Sequence, residues 1–461
     1  MASDEPCNTF DLHVDTLIIG AGACGLVAAL AACEAGQEVL VIEADAVPAG
    51  STALSAGLIP AAGTVLQRQA GITDSPELFA RDIQRKAHGE NDPELVDALT
   101  CGAAKVMDWL VNQHELPFTL VDDFDYPGHS QRRMHGLPSR SGTELINALR
   151  TCCEKAGIDI VCHRRATDIF QYKGCVTGVR VGTDDHTTET IGCKKLILAC
   201  NGFGGNRDMV KEHMPQIADA LWFGHDGNRG EAVKWGGELG AAVAQLGAYQ
   251  GHGNVAHPHG ILISWAVISE GGIQVNNDGE RFWDESQGYS EAARRVLSQP
   301  GGSAITLFDQ RIAGIARQFE DYKQAEKMGA VLSFDTLDVM AEHFGLPRAT
   351  LIETVASLPL DCTDRFGREF SGIPLVPPYC AVQVTGALFH TQGGLRVTGV
   401  GQVMRQDDKL ISNVFAGGGA ACGVSGSNDT GYLSGNGLLS AVVLGYYAGQ
   451  ARLEPSTPAY Q

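Results

Sequence analysis

The sequence predicts an α/β fold: a Rossmann-like nucleotide-binding domain interrupted by an inserted α+β cap. Three observations carry that expectation. The apolar run Asp15-Thr-Leu-Ile-Ile-Gly20 passes straight into G-x-G-x-x-G (Gly20, Gly22, Gly25), then a helix, then a second apolar strand ending on Glu43. That is a dinucleotide fingerprint in its required setting, with an acid placed to meet a ribose hydroxyl. The same strand-and-glycine style returns at Lys195-Leu-Ile-Leu-Ala-Cys-Asn-Gly and at Leu410-Ile-Ser-Asn-Val-Phe-Ala-Gly. Between those two runs the chain turns polar and mixed, which places a cap at 252–380 and splits the nucleotide-binding domain into 1–251 and 381–461.

In chain order, residues 15–45 read as β-α-β, and the small-residue loop at 48–57 lets a flat ligand approach the backbone. A helical region follows to about residue 115. The segments at 158–162 and 175–181 read as strands. The tail, Asn428-Asp-Thr-Gly-Tyr432-Leu-Ser-Gly-Asn436-Gly437, opens an apolar helix, so its free backbone N–H groups and positive dipole end suit negative charge.

Composition narrows the function. At 461 residues with 44% apolar residues and 57 glycines, the chain reads as a loop-rich globular protein. A net charge of −20 argues against nucleic acid and against anionic membrane surfaces as partners. The acidic start lacks an apolar signal region, and no apolar run reaches the roughly 18 residues of a membrane span, so a cytoplasmic protein is expected. The 13 cysteines fall in no zinc or haem spacing and suit small buried thiols in a reducing compartment, with no metal.

The order of motifs resembles the fumarate reductase and succinate dehydrogenase flavoprotein superfamily, over nearly the whole chain. The fingerprint is followed by an S-T-x-x-S-x-G loop at Ser51, by Ala199-Cys-Asn-Gly-Phe-Gly-Gly-Asn206, and by Asn276-Asn-Asp-Gly-Glu-Arg-Phe-Trp-Asp-Glu285 in the cap. His390-Thr-Gln-Gly-Gly394 and the tail loop complete the set. The resemblance implies FAD and a two-electron step at flavin N5 on a carbon–carbon bond. It implies cofactor contacts from Gly20, Gly22, Ala23, Cys24 and Gly25, then from Glu43 and Ala44. The flavin loop would add Gly50, Ser51, Thr52, Ser55, Ala56 and Gly57; later segments would add Ala166, Asn201, Gly202, Gly418, Gly437 and Leu438. Members that attach flavin covalently place a histidine where Ser51 stands, so the FAD is expected to be non-covalent. Only one dinucleotide fingerprint is present, and no haem-attachment motif.

Dicarboxylate enzymes of the superfamily use two arginines, because a guanidinium fork binds a carboxylate bidentately. Those positions match Tyr289, in Asp284-Glu-Ser-Gln-Gly-Tyr289, and Tyr432, in Tyr432-Leu-Ser-Gly-Asn436. Tyrosines there resemble the 3-ketosteroid Δ1-dehydrogenase branch and related cyclic-ketone desaturases. The resemblance implies that Tyr289 removes a proton α to a ketone. It implies that Tyr432 and the backbone N–H of Asn436 hold the ketone oxygen, and that Tyr126 is a third catalytic tyrosine. A phenol titrates near 10, so Tyr289 serves as a base only with help from a donor or dipole. His390 is a candidate substrate contact, Arg132 or Arg133 could receive a substrate carboxylate, and His252, His257 and His259 read as loop polar residues.

The expectation is therefore an FAD-dependent dehydrogenase acting on a cyclic ketone and passing electrons to an unidentified acceptor. The alternatives are an enone or enoate reductase running the reverse reaction and a non-catalytic electron-transfer subunit.

Overall fold

A computed structural model describes residues 9–122, 125–370 and 372–453. The chain forms two compact units. The first comprises residues 1–213, 224–249 and 390–461; the second, residues 214–223 and 250–389.

The first unit begins with strand β1 (Leu12–Ile19), helix α1 (Ala23–Glu34) and strand β2 (Val39–Ile42). Helix α1 is alanine-rich and buried on nearly every side, so its burial comes from packing on all faces and not from one apolar stripe. Helix α2 (Pro93–Asn112) starts at Asp92, whose carboxylate caps the N–H groups of Glu94 and Leu95. Strands β3 (Asp159–Val161), β4 (Arg164–Tyr172), β5 (Cys175–Thr183) and β6 (Thr188–Leu198) follow. In the main sheet β1 runs parallel to β2 on one side and to β6 on the other, with Leu17 opposite Leu40 and Leu196. Strand β3 extends the parallel set beside β2, while β4 and β5 form an antiparallel flap off β6.

The second unit is built on an antiparallel sheet. Strand β7 (Tyr249–Ala256) enters it; β8 (Ile273–Val275), helix α3 (Tyr289–Leu297), β9 (Ser303–Asp309) and the long β10 (Tyr379–Thr391) follow. Its order places β7 and β9 on either side of β10, with β8 beyond β9. The sequence-based cap boundaries of 252 and 380 differ from these for physical reasons. Strand β10 keeps its partners as far as Leu388, and the distant pair Leu221–Trp222 adds a parallel edge against Ala387 and Leu388. No local signal marks that two-residue strand.

The chain then returns to the first unit. Strands β11 (Gln402–Met404) and β12 (Leu410–Ala416) pair with each other, and β12 runs parallel to β6, completing the eight-stranded sheet. Helix α4 (Asn436–Gln450) packs on α1 through alanine and glycine. Its C-terminal carbonyls are collected by one buried ammonium: Lys195 Nζ on β6 donates to Ala448, Gly449 and Ala451 at 2.8–3.0 Å. Among the described residues, no helix is long and apolar enough to cross a membrane.

Candidate active site

The nucleotide cradle is assembled where β1 meets α1. A Cβ on Gly25 would lie 1.8 Å from the Gly20 carbonyl oxygen, so only glycine lets helix and strand come this close. At Gly22, the N-cap, the opposite holds: the nearest atom to a Cβ would be Thr52 Oγ1 at 3.7 Å, so space stands open over the helix N-terminus. Gly22 has no side chain to cap its helix, and the first helical N–H, of Ala23, is met by Thr52 Oγ1 at 3.1 Å. Glu43 accepts from the Ala21 N–H (2.8 Å) and the Asp45 N–H (3.0 Å), with Ala44 between, which fixes the carboxylate at the end of β2 while leaving lone pairs for hydroxyl donors. These features fit a dinucleotide: open backbone N–H groups and a dipole end for a pyrophosphate, and a fixed acid for a ribose.

The flavin-loop residues are tied together by the same unit. Ser55 Oγ donates to the Thr52 carbonyl at 2.7 Å and accepts from Gly57; Gly50 is half-buried and Ala56 exposed. Ser51 Oγ accepts from Asn201 Nδ2 (2.8 Å) and from Asn228 Nδ2 (3.1 Å), so its own hydrogen remains for another acceptor. Asn228 had no motif to announce it; it reaches Ser51 from 177 residues away. Asn201 adopts a left-handed φ of +67° and accepts from the Gly202 N–H, locking the glycine turn. Cys24 is buried, and burial pushes its thiol up to about 12, so it serves as a small packing group next to Gly417 and Gly418. Ala166 lies buried in β4 opposite Val181, and Leu438 is half-buried in the first turn of α4.

At the tail loop, Tyr432 is buried just ahead of α4. Burial pushes its phenol up, while the N–H groups of Gly435 and Gly437 on its oxygen pull the other way. His390 stands edge-on to it, ring centres 5.6 Å apart, and burial lowers its imidazole to about 4, so the ring is neutral. Asn436 is a correction: its backbone N–H donates to the Leu433 carbonyl at 3.1 Å and is not offered to a ligand. Asn436 stands four residues after Tyr432, but the turn of the loop aims the N–H groups on either side of it, of Gly435 and Gly437, at the phenol.

Arg133 is a second correction. It is fully buried, paired with Asp74 (2.9 Å) and Asp82 (2.6 Å), and stacked on Phe79. Instead of meeting a carboxylate ligand it braces His129, whose Nδ1 accepts from Arg133 and whose Nε2 donates to the Ser434 carbonyl at 2.9 Å. That bond brings the Tyr126 segment against the tail loop. Tyr126 packs half-buried on Leu58, Val121 and Met134 and lines a depression of about 500 Å³ together with Arg132, which is paired to Asp125 at 2.7 Å.

Tyr289 belongs to the second unit. It is the first residue of α3, behind Gly288 at φ +132°, and so sits at that helix's positive end. Its ring stacks on His252 (5.1 Å, 16°), which stacks in turn on Phe389 (5.4 Å, 21°), and Phe389 on Phe223 (4.8 Å, 17°). Trp265 closes edge-on against His252 and Tyr289. His252, expected as a loop polar residue, is instead buried inside this stack. Burial lowers it to about 3, and its Nδ1 accepts from the Asn254 N–H, so the ring proton is on Nε2. Only a contact with Tyr289, 37 positions on in the chain, reveals it.

A glycine-cradled nucleotide site with an inserted cap defines a class of dinucleotide-dependent redox proteins. The FAD binding domain family matches residues 15–438, and the chain belongs to that family. It is an FAD-dependent oxidoreductase acting on carbon–carbon bonds. It is 30% identical over 443 residues to a probable fumarate reductase, Ifc3, of Shewanella frigidimarina, covering 94% of this chain and 74% of that protein. A 3-oxosteroid 1-dehydrogenase of Mycobacterium tuberculosis is 25% identical over 94% of this chain and 97% of its own length. Among solved structures, the open conformation of a flavocytochrome c3 fumarate reductase superposes with a TM-score of 0.82 at 28% identity, over 96% of this chain and 78% of that one.

Proposed function

We propose that this chain is a dehydrogenase that introduces a double bond α,β to a ketone held in a ring, such as a 3-ketosteroid or 4-oxocyclohexane derivative. The observation that carries the reading is Tyr432. Its buried phenol oxygen receives the Gly435 and Gly437 N–H groups, and burial keeps the phenol protonated, so it stands as a neutral O–H donor. Beside the neutral His390, this is an uncharged donor set, suited to a carbonyl oxygen that becomes an enolate. Two carboxylates would need fixed cations to offset their desolvation. Arg133 is engaged by Asp74 and Asp82, and Arg132 by Asp125.

In this reading Tyr289 takes the α-proton onto its phenol oxygen, and Tyr432 donates to the ketone oxygen as negative charge develops there. The ring stack around Tyr289 offers apolar faces to a cyclic substrate. FAD, held by the open N-terminus of α1, Glu43, Thr52 and Ser51 without a covalent bond, supplies the two-electron acceptor for the β-hydride at N5. One proton and one hydride leave adjacent carbons, and an enone remains.

The reverse reaction, reduction of an enone or an enoate, is the second reading; the fumarate reductase names of the similar proteins favour it. Both are tested together. Purified protein is assayed with cyclic ketones and an artificial electron acceptor, and with enones, fumarate and succinate against a reduced dye. Turnover of a cyclic ketone with succinate inert is the expected result. Steady turnover of fumarate or succinate with the ketones inert would overturn the tyrosine assignment.

A further inference from the structure

Behind Tyr432, His390 ends a chain of side-chain hydrogen bonds whose other members take no part in the chemistry above. Asn436 Nδ2 donates to Ser425 Oγ (3.1 Å), Ser425 donates to Gln392 Oε1 (2.7 Å), and Gln392 Nε2 donates to His390 Nδ1 (2.8 Å). Ser425, Gln392 and Asn436 are all buried. Each link has a polarity, because an amide oxygen only accepts, an amide nitrogen only donates, and the serine hydroxyl has one proton to give. Turning the amide at one end by 180° therefore reverses every link between. In the arrangement seen, His390 Nδ1 accepts and the ring proton lies on Nε2. That nitrogen faces Gly437, where a Cβ would stand 3.1 Å away.

Each end of the chain has a further group that bears on its polarity. The Thr391 carbonyl lies 3.2 Å from His390 Nδ1, placed to accept a proton carried there. At the far end, Asn436 Oδ1 is buried with no partner among the described residues. A buried polar atom of this kind costs about 1–3 kcal/mol and marks a place where a ligand group can act.

We propose that Gln392 and Ser425 are positioning residues that couple the tautomer of His390 to the orientation of the Asn436 amide. A ligand group that donates to Asn436 keeps the proton on Nε2 of His390. One that accepts, such as a carbonyl oxygen, turns the amide, reverses the chain and moves the proton to Nδ1, leaving a lone pair at Nε2. The coupling is a property of the resting protein and does not depend on which substrate is used.

The test reads the tautomer directly. In FAD-loaded protein labelled with ¹⁵N-histidine, ring-nitrogen shifts distinguish Nδ1–H from Nε2–H, and His390→Gln identifies the signal. The wild type should show Nε2–H. Asn436→Asp presents only acceptors, so Ser425 turns to donate to it, Gln392 turns with it, and the tautomer ratio at His390 should invert at pH 7. Adding Ser425→Ala should abolish that effect, giving the spectrum of Ser425→Ala alone. Gln392→Glu, which presents an acceptor directly to Nδ1, should also give Nδ1–H and provides the reading if Asn436→Asp loses its flavin or its melting transition. An unchanged His390 pattern in folded Asn436→Asp, a shift that survives the Ser425→Ala addition, or Nε2–H in Gln392→Glu would each overturn the coupling.

Discussion

At the scale of single residues, the two tyrosines have separable roles. Tyr289→Phe removes the base but keeps the ring in its stack, so kcat should fall by a factor of roughly 10² to 10⁴ with little change in flavin content. Tyr432→Phe removes one donor from the developing oxyanion, for a loss of roughly 10² or more in kcat. Stopped-flow reduction of the bound flavin by substrate measures both, and near-normal rates in either variant would remove its role. Ser51 bears on the cofactor. Its oxygen accepts two amide bonds and it has no nucleophilic nitrogen to offer, so acid or heat should release FAD into the supernatant. Yellow colour left on the denatured chain would show a covalent link. Arg133 and the Asn436 N–H are donors in the sequence, and only the fold shows each already satisfied, by Asp74 with Asp82 and by the Leu433 carbonyl.

At the scale of elements, the α1–α4 pair supports the cradle, and its weak point is the end of α4. Burial pulls the Lys195 ammonium down to about 7, while three carbonyls at the negative end of the helix hold its protons. Lys195→Met would take the ammonium donor from all three carbonyls, of which Gly449 keeps Gln37 Nε2 at 3.1 Å. It should cost about 3 kcal/mol and fray the last turn, seen as an earlier urea midpoint and faster amide exchange over residues 446–451. A midpoint within a few tenths of a kcal/mol of wild type would show that water replaces the ammonium. The strand-glycine-helix elements around β1, β6 and β12 were legible because each pairs an apolar run with glycines at set offsets. The Leu221–Trp222 edge was not, because two residues carry no periodicity.

At the scale of the whole molecule, pH dependence follows from neutral histidines spread over both units. Burial lowers His129, His135 and His390 to about 4 and His252 to about 3, with the Arg133 guanidinium adding to the effect at His129. In the unfolded chain each takes its proton near 6.5. Between about pH 6.5 and 4 the unfolded state thus holds more protons than the folded one, and stability falls as pH drops, by about 1.4 kcal/mol per pH unit for each fully neutral histidine. Chemical denaturation from pH 7 to 4.5 should show this fall, with a shallower slope in His135→Gln. A stability independent of pH over that range would contradict the neutral, buried state of these rings.

What the sequence determined by itself is the nucleotide-binding half of the protein. Its chemistry rests on backbone N–H groups and glycines, and those are written into the chain at fixed spacing: Gly20, Gly22 and Gly25 ahead of α1, Glu43 at the end of β2, Tyr432 before α4. What only the tertiary structure decided is which polar side chains remain available. His252 becomes part of a ring stack through Tyr289 and Phe389, Asn228 reaches Ser51, and Gln392 meets His390 on one side and Ser425 on the other. The physical reason is that a hydrogen bond or a stacked ring depends on distance in space, and residues tens to hundreds of positions apart leave no periodic trace of the meeting.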